Sequence, residues 1–430
     1  MKKNLFFLGF IPNIVLAQET SIDGANTIFI LFCTILVLLM TPALAMFYSG
    51  MVRSKNSLSV IMNCFVMFGI ITFQWVGLGY TLAFGEDIGY GLLGNLDNMG
   101  LYGIEGNNEH GVPNSLFMIF QMMFAIIAAA IFTGSFVGRI KFSVLIIFTL
   151  IWTTLVYDLL AHWIWSQKGW LLQKGSLDFA GGGVVHISAG VAGLVGCFFL
   201  GKRKNISGIF PHSLPYSFLG AALLLFGWLG FNAGSAGGID NIAVNAFITT
   251  CLSTAGGILG WITIEWIKYK KPTLLGAITG ALAGLVGITP AAGYVSPLAS
   301  ILIGFLASPI CFVAITWLKT KLNYDDSLDA FGLHGIGGIW GGIATGIFAS
   351  ASINPEATGE GTLGQGLLYS GNMALLTEQI FAIIICVALS GIVSLAGFKI
   401  ISLFTSLRVN DKEELEGLDI GIHGEEAYRI

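Results

Sequence analysis

Read from the N-terminus, the chain alternates long apolar runs with short polar punctuation. Eleven runs approach or exceed the roughly 20 residues that a bilayer-spanning helix needs. They lie near 27–50, 58–83, 113–136, 142–165, 181–200, 213–233, 242–267, 273–290, 296–318, 331–352 and 374–404. The pattern predicts an all-α polytopic membrane protein whose membrane domain occupies residues 18–404. Ahead of it, "MKKNLFFLGFIPNIVLAQ" pairs two lysines with an apolar stretch and a small residue at Ala17, which reads as a signal peptide over residues 1–17. Pro12 and Asn13 interrupt that stretch, and an N-terminal anchor is the alternative.

The polar punctuation sets an orientation, because short cytoplasmic loops collect lysine and arginine. The odd loops hold twelve cations: Arg53, Lys55, Arg139, Lys141, Lys202, Arg203, Lys204, Lys268, Lys270, Lys271, Lys319 and Lys321. The even loops hold two, Lys168 and Lys174, among acidic residues such as Glu86, Asp87, Asp97, Glu105 and Glu109. The mature N-terminus is therefore expected outside and residues 405–430 in the cytoplasm, as a tail beneath the membrane domain.

Composition agrees. Hydrophobic residues make up 55% of the 430 and charged residues 10%, against about 25% charged in soluble domains. The 58 glycines suit helices that approach closely without a hydrophobic drive between them. A net charge of −4 implies no nucleic-acid partner. All six cysteines fall in apolar runs, with no spacing that suggests a disulfide framework or zinc site.

Two runs stand apart. The fifth is preceded by Asp178 and carries His186 in "GGGVVHISAG"; the tenth is preceded by Asp329 and carries His334 in "FGLHGIGGIW". Five is an odd number of crossings, so two five-helix repeats would have opposite orientations, leaving one final helix. That is the inverted-repeat plan of many transporters, with the site at the midplane between repeats. A single intramembrane histidine is ordinarily a satisfied helix–helix contact; two at equivalent places point to a shared site. Neither neighbourhood offers the further ligands a metal needs, and no nucleophile–base pair appears, so the sequence implies no enzyme, cofactor or metal. Burial disfavours imidazolium. Two neutral rings lining an apolar tube suit a small neutral solute or a proton relay better than a bare cation.

Aromatic residues cluster on one side. "AHWIWSQ" places Trp165 near the outer surface, and "FGWLGFNAGSAGG" is expected to put Trp228, Phe231 and Ser235 close to the same side. An interfacial Trp is commonly only a membrane anchor, but a Trp face beside a hydroxyl is also a cation–π site.

These segments resemble the ammonium transporter (Amt/Mep/Rh) family nearly end to end. "TPALAMFYSGMVRSKN" is similar to the family's first-span block, with Ala43 and Ser49 where glycine is usual. "FQMMFA", "GRIKFS", "DFAGGGVVHISAG", "GWLGFNAGSA" and "DAFGLHGIGGIWGG" follow in family order, and "GLDIGIHGEEAYRI" resembles the tail signature, with Ile422 where an acid is common. The resemblance implies ammonium recruitment at Trp165 and Ser235 with Phe120 nearby, an aromatic gate of Phe124 and Phe231, and twin pore histidines His186 and His334. It implies a structural or electrostatic role for Asp178. It further implies a homotrimer in the cell (inner) membrane whose tail docks PII-type signal proteins. The alternatives are an ammonium sensor signalling through its tail, or a pore for carbon dioxide or methylammonium.

Overall fold

A computed structural model describes residues 21–204 and 210–428. The proposed leader, residues 1–17, lies outside the described residues. Among those described there is helix and turn but no β-strand.

Ten helices are long and apolar enough to cross a bilayer: α1 Gly24–Met51, α2 Ser54–Phe84, α3 Asn114–Phe136, α4 Phe142–Gln173, α5 Gly182–Leu200, α6 Leu214–Gly234, α7 Asn241–Tyr269, α9 Pro297–Leu322, α10 Phe331–Phe348 and α11 Ala374–Phe404. Between α7 and α9 lies a shorter apolar helix, α8 Leu274–Ile288. Its 15 residues rise about 22 Å at 1.5 Å each. The turns after it carry the chain on to Ser296. These eleven helices match the runs read from the sequence.

Side-chain caps start several of them. Asp23, Ser213, Asp240, Thr273 and Ser296 each accept a backbone N–H from the first turn of the helix that follows, satisfying one of the donors a helix start leaves orphaned. Glycine sets how closely helices approach. A Cβ at Gly220 of α6 would strike the backbone of Phe47 and Ala43 in α1, and one at Gly257 of α7 would strike Gly280 of α8.

Beneath the odd-loop face two short helices, α12 Asp411–Glu416 and α13 Leu418–His423, follow α11. Asp419 accepts the N–H groups of Leu58 (3.0 Å) and Ser59 (2.7 Å) at the start of α2. Glu414 binds Arg408 (2.6 Å) and the N–H of Lys204 (2.7 Å), and Lys55 donates to Leu415 O. The tail is thus tied to the first and fifth loops. A polar network lies above it. Arg139, fully buried, donates to Asp325 O and Ser327 Oγ. Arg203 grips Asp325 through Nε (2.8 Å) and Nη2 (2.6 Å).

Candidate functional site

The two histidine helices open in the same unusual way. Gly182–Ile187 and Phe331–Gly335 are π-helical, so His186 and His334 sit in the widened opening turns rather than in the middle of regular helices. The His186 N–H reaches back five residues to Gly181 O at 3.0 Å. Such π segments cost hydrogen-bond geometry and concentrate at functional sites.

Each opening is capped by an aspartate eight positions before its histidine, Asp178 part-buried and Asp326 buried. Asp178 Oδ1 accepts the N–H groups of Gly181 (2.9 Å) and Gly182 (2.6 Å), and Oδ2 those of Gly183 (2.8 Å) and Val184 (3.3 Å). Asp326 Oδ2 accepts the Phe331 N–H at 2.8 Å. The counterpart of Asp178 in the second repeat is therefore Asp326, not Asp329. Asp329 faces away toward Lys319 Nζ at 2.6 Å, where burial raises its carboxyl to about 6 against the pull of that lysine.

The two rings meet. His334 Nδ1 lies 3.3 Å from His186 Nδ1, with centroids 5.2 Å apart; both residues are buried, at 1% and 4% exposure. One Nδ1 carries the hydrogen and the other accepts it. His186 Nε2 has no protein partner. Around the pair is a narrow lumen of about 10 Å³, lined by Met40, Leu44, Phe47, Ile127, Ile131, Val185, Leu224, Trp228, Phe231 and Leu282. Two ring edges supply the hydrogen-bonding groups in this apolar wall.

Above the pair the aromatics form a column. Phe231 stacks on Phe124 at 4.1 Å and 21°, and lies 6.3 Å from the His186 ring on its other side. Trp165 stands edge-on to Phe124 at 6.0 Å and 88°, held by its Nε1–H on Asp178 O at 2.8 Å. Phe124, Trp165 and Ser235 line an open vestibule of about 640 Å³ whose walls also include Glu86, Asp87, Glu109 and Gln121. Phe120 is buried, 4.9 Å from Phe124, and supports the column instead of lining the vestibule. Ser235 Oγ donates to Phe231 O at 2.9 Å, so its lone pairs remain available as acceptors.

Trp228 is not with the vestibule aromatics. It stacks on His186 at 5.3 Å and 26° and donates Nε1–H to Thr289 Oγ1 at 2.8 Å. Seven residues separate it from Ser235, which on a helix is two turns, about 10 Å, enough to move it from the vestibule floor to the lumen wall. Sequence reasoning also passed over His162, within the quoted "AHWIWSQ". Its ring is fully buried, with Nδ1 2.9 Å from Ala83 O and Nε2 3.3 Å from Asp87 Oδ1. It ties the acidic rim of the vestibule to α4.

Residues 28–428 match the Ammonium Transporter Family. The chain is 51% identical over 407 residues to an ammonium transporter of Bacillus subtilis, covering 94% of this chain and 98% of that one. It is 43% identical over 435 residues to an ammonium transporter of Aquifex aeolicus, covering 99% of each. Among solved structures, Mep2 of Saccharomyces cerevisiae superposes with a TM-score of 0.85 at 33% identity, covering 92% of this chain and 89% of that one. A sensor Amt protein superposes with a TM-score of 0.84 at 27% identity, covering 93% and 98%.

Proposed function

The chain belongs to the ammonium transporter family, and from that premise we propose that it carries ammonium across the membrane by separating the cation from its proton. The vestibule faces outside. Glu86, Asp87 and Glu109 on its walls favour cations, and Trp165 with Ser235 offers a π face and an oxygen acceptor, a combination suited to ammonium. Rotation of the stacked Phe124 and Phe231 rings admits the solute to the lumen.

The observation that carries this reading is the 3.3 Å contact between His186 and His334 inside an otherwise apolar lumen. Ammonium and potassium are nearly the same size, so diameter cannot separate them. Ammonium, an amine-type acid with an aqueous pKa on the order of lysine's ~10.4, loses its proton when desolvated. Potassium has none to lose. The neutral ammonia then exchanges hydrogen bonds along the imidazole edges, which each have one donor and one acceptor nitrogen.

The test is an ammonium jump on liposomes holding the purified protein, with internal pH and solid-supported membrane current recorded together. Saturable ammonium-dependent entry, absent with an equal potassium jump, is the expected result. Equal responses to the two ions would overturn the reading.

A regulatory part for the tail is favoured by its anchors, because Asp419, Glu414 and Leu415 fix it to the first and fifth loops. We place that face in the cytoplasm, where a PII-type protein would meet it, and the protein as a homotrimer in the cell membrane.

A further inference from the structure

His162 is a third buried histidine, on α4 and away from the lumen pair. Both of its ring nitrogens face acceptors: Nδ1 lies 2.9 Å from Ala83 O and Nε2 3.3 Å from Asp87 Oδ1. A carbonyl and an ionised carboxylate only accept, and a neutral imidazole has a single N–H. The ring can therefore satisfy both contacts only as imidazolium, or with a proton moved onto Asp87.

Two observations decide between these. Ala83 is next to last in α2, where a helix leaves its final carbonyls unpaired and favours a cation. Asp87 belongs to the turn after α2, which folds back through Ile88 N–H to Leu93 O (3.0 Å) and Asn95 N–H to Glu86 O (2.7 Å). Loss of water acts to raise the Asp87 carboxyl, but the N–H of Gly91, the His162 ring and the N–H of Gly89 outweigh it and hold the group below the ordinary carboxylate value. The carboxyl is ionised, so the ring carries both protons. Among the described residues, Asp87 is the carboxylate within ion-pair distance of this ring. Asp158, one turn earlier on α4, is turned instead to Gln74 Nε2 at 2.6 Å.

The pair stands at the vestibule. Asp87 lines its wall with 10% of its side chain exposed, while the His162 side chain behind it has none. We propose that His162 is a positioning residue for cation capture, a buried imidazolium that holds the Asp87 carboxylate in the vestibule wall. The pair is neutral as a whole, so an entering cation meets the nearer carboxylate at short range and no long-range field. The inference rests on the vestibule being the entrance for ammonium, and it adds a residue to that entrance which no solute touches.

Nitrogen-15 magic-angle-spinning NMR of histidine-labelled protein in liposomes reads the ring directly, at a pH of about 8, above the ordinary histidine value of about 6.5. One ring with both nitrogens protonated is expected. Its signal vanishes in H162N and reverts to a single N–H in D87N, because an amide can donate to a bare Nε2. Uptake across a range of ammonium concentrations reads the role. H162N and D87N each raise the half-saturating concentration about fivefold, the worth of one charge at contact distance in water. The double variant rises no further, and H162Q, whose amide nitrogen reaches the place of Nε2, keeps most of the affinity. Absence of a doubly protonated ring that depends on His162 would overturn the charge. A wild-type half-saturating concentration in H162N, even with less protein in the membrane, would overturn the positioning role. The NMR result stands whatever enters the vestibule, so its failure is separate from a failure of ammonium transport.

Discussion

His186 and His334, 148 positions apart in the chain, face each other through their Nδ1 atoms at 3.3 Å. Neither ring can satisfy that contact alone, because a neutral imidazole has a single N–H. One tautomer fixes the other: the ring that donates through Nδ1 turns a bare Nε2 outward, and the ring that accepts turns out an Nε2–H. The pair therefore presents the lumen with one acceptor and one donor, and moving a proton along the pair swaps them.

Trp165 bounds the vestibule with its ring face and holds Asp178 O with its N–H. Trp165→Leu is expected to weaken apparent ammonium affinity by up to about tenfold, the equivalent of a contact near 1.4 kcal/mol. Trp165→Phe, which keeps a π face, loses less. Concentration-dependent uptake in cells lacking other ammonium transporters checks this; wild-type kinetics in the leucine variant would leave Trp165 an interfacial anchor.

The loop charges predict the side each face occupies. A cysteine at Glu360, exposed in the tenth loop, should react with an impermeant maleimide on intact cells. A cysteine at Lys271, in the seventh loop, should react only after permeabilisation. The opposite pattern would reverse the orientation.

The tail's hold on α2 is short and specific. Asp419→Ala removes the acceptor for the Leu58 and Ser59 N–H groups, a capping loss of about 1 kcal/mol. Deleting residues 411–430 removes every α12 and α13 anchor at once. Ammonium uptake is expected to fall, or PII-type control to be lost, while protein level in the membrane holds. Unchanged uptake and control after deletion would make the tail inert.

Much of this was legible in the sequence, and the failures have physical causes. Apolar length located α1 to α11, because a bilayer leaves the backbone few alternatives. The histidine pair was legible because isolated imidazoles in two glycine-rich runs have few other reasons to be there. Trp228 was misplaced because linear distance from Ser235 was read without helical rise. The π-helical openings were hidden: nothing in "GGGVVHIS" distinguishes an i−5 bond from an i−4 bond. Asp329 was matched to Asp178 because each precedes its run, whereas the capping geometry picks Asp326. The Arg139–Arg203–Asp325 network joins loops far apart in the chain, a closeness that single-sequence reading does not show.

That network carries a pH dependence. Burial acts to raise the Asp325 carboxyl, but the bonds and charge of Arg203, with Arg139 behind, more than offset it and hold it well below the ordinary carboxylate value. A depressed carboxyl contributes stability that is present above its unfolded pKa of about 3.9 and lost as pH falls through the folded value. The melting temperature in detergent should therefore fall as pH drops below ~4. Asp325→Asn should melt lower at pH 7, since it leaves the part-buried Arg203 without its carboxylate partner. It should also lose less on acidification than the wild type does.

The most direct test of the account measures potassium and ammonium entry side by side in liposomes holding the wild type, His186→Glu, His334→Glu, or both histidines as Ala. A carboxylate can replace part of a cation's water shell, which a neutral ring cannot. Either glutamate variant is thus predicted to admit potassium as well as ammonium, while the wild type excludes it. The double alanine variant should lose any proton-coupled current. The single alanine changes should be non-additive, because each leaves its partner without its hydrogen bond, at roughly 1–3 kcal/mol. A double alanine variant with wild-type current and wild-type exclusion of potassium would contradict the account.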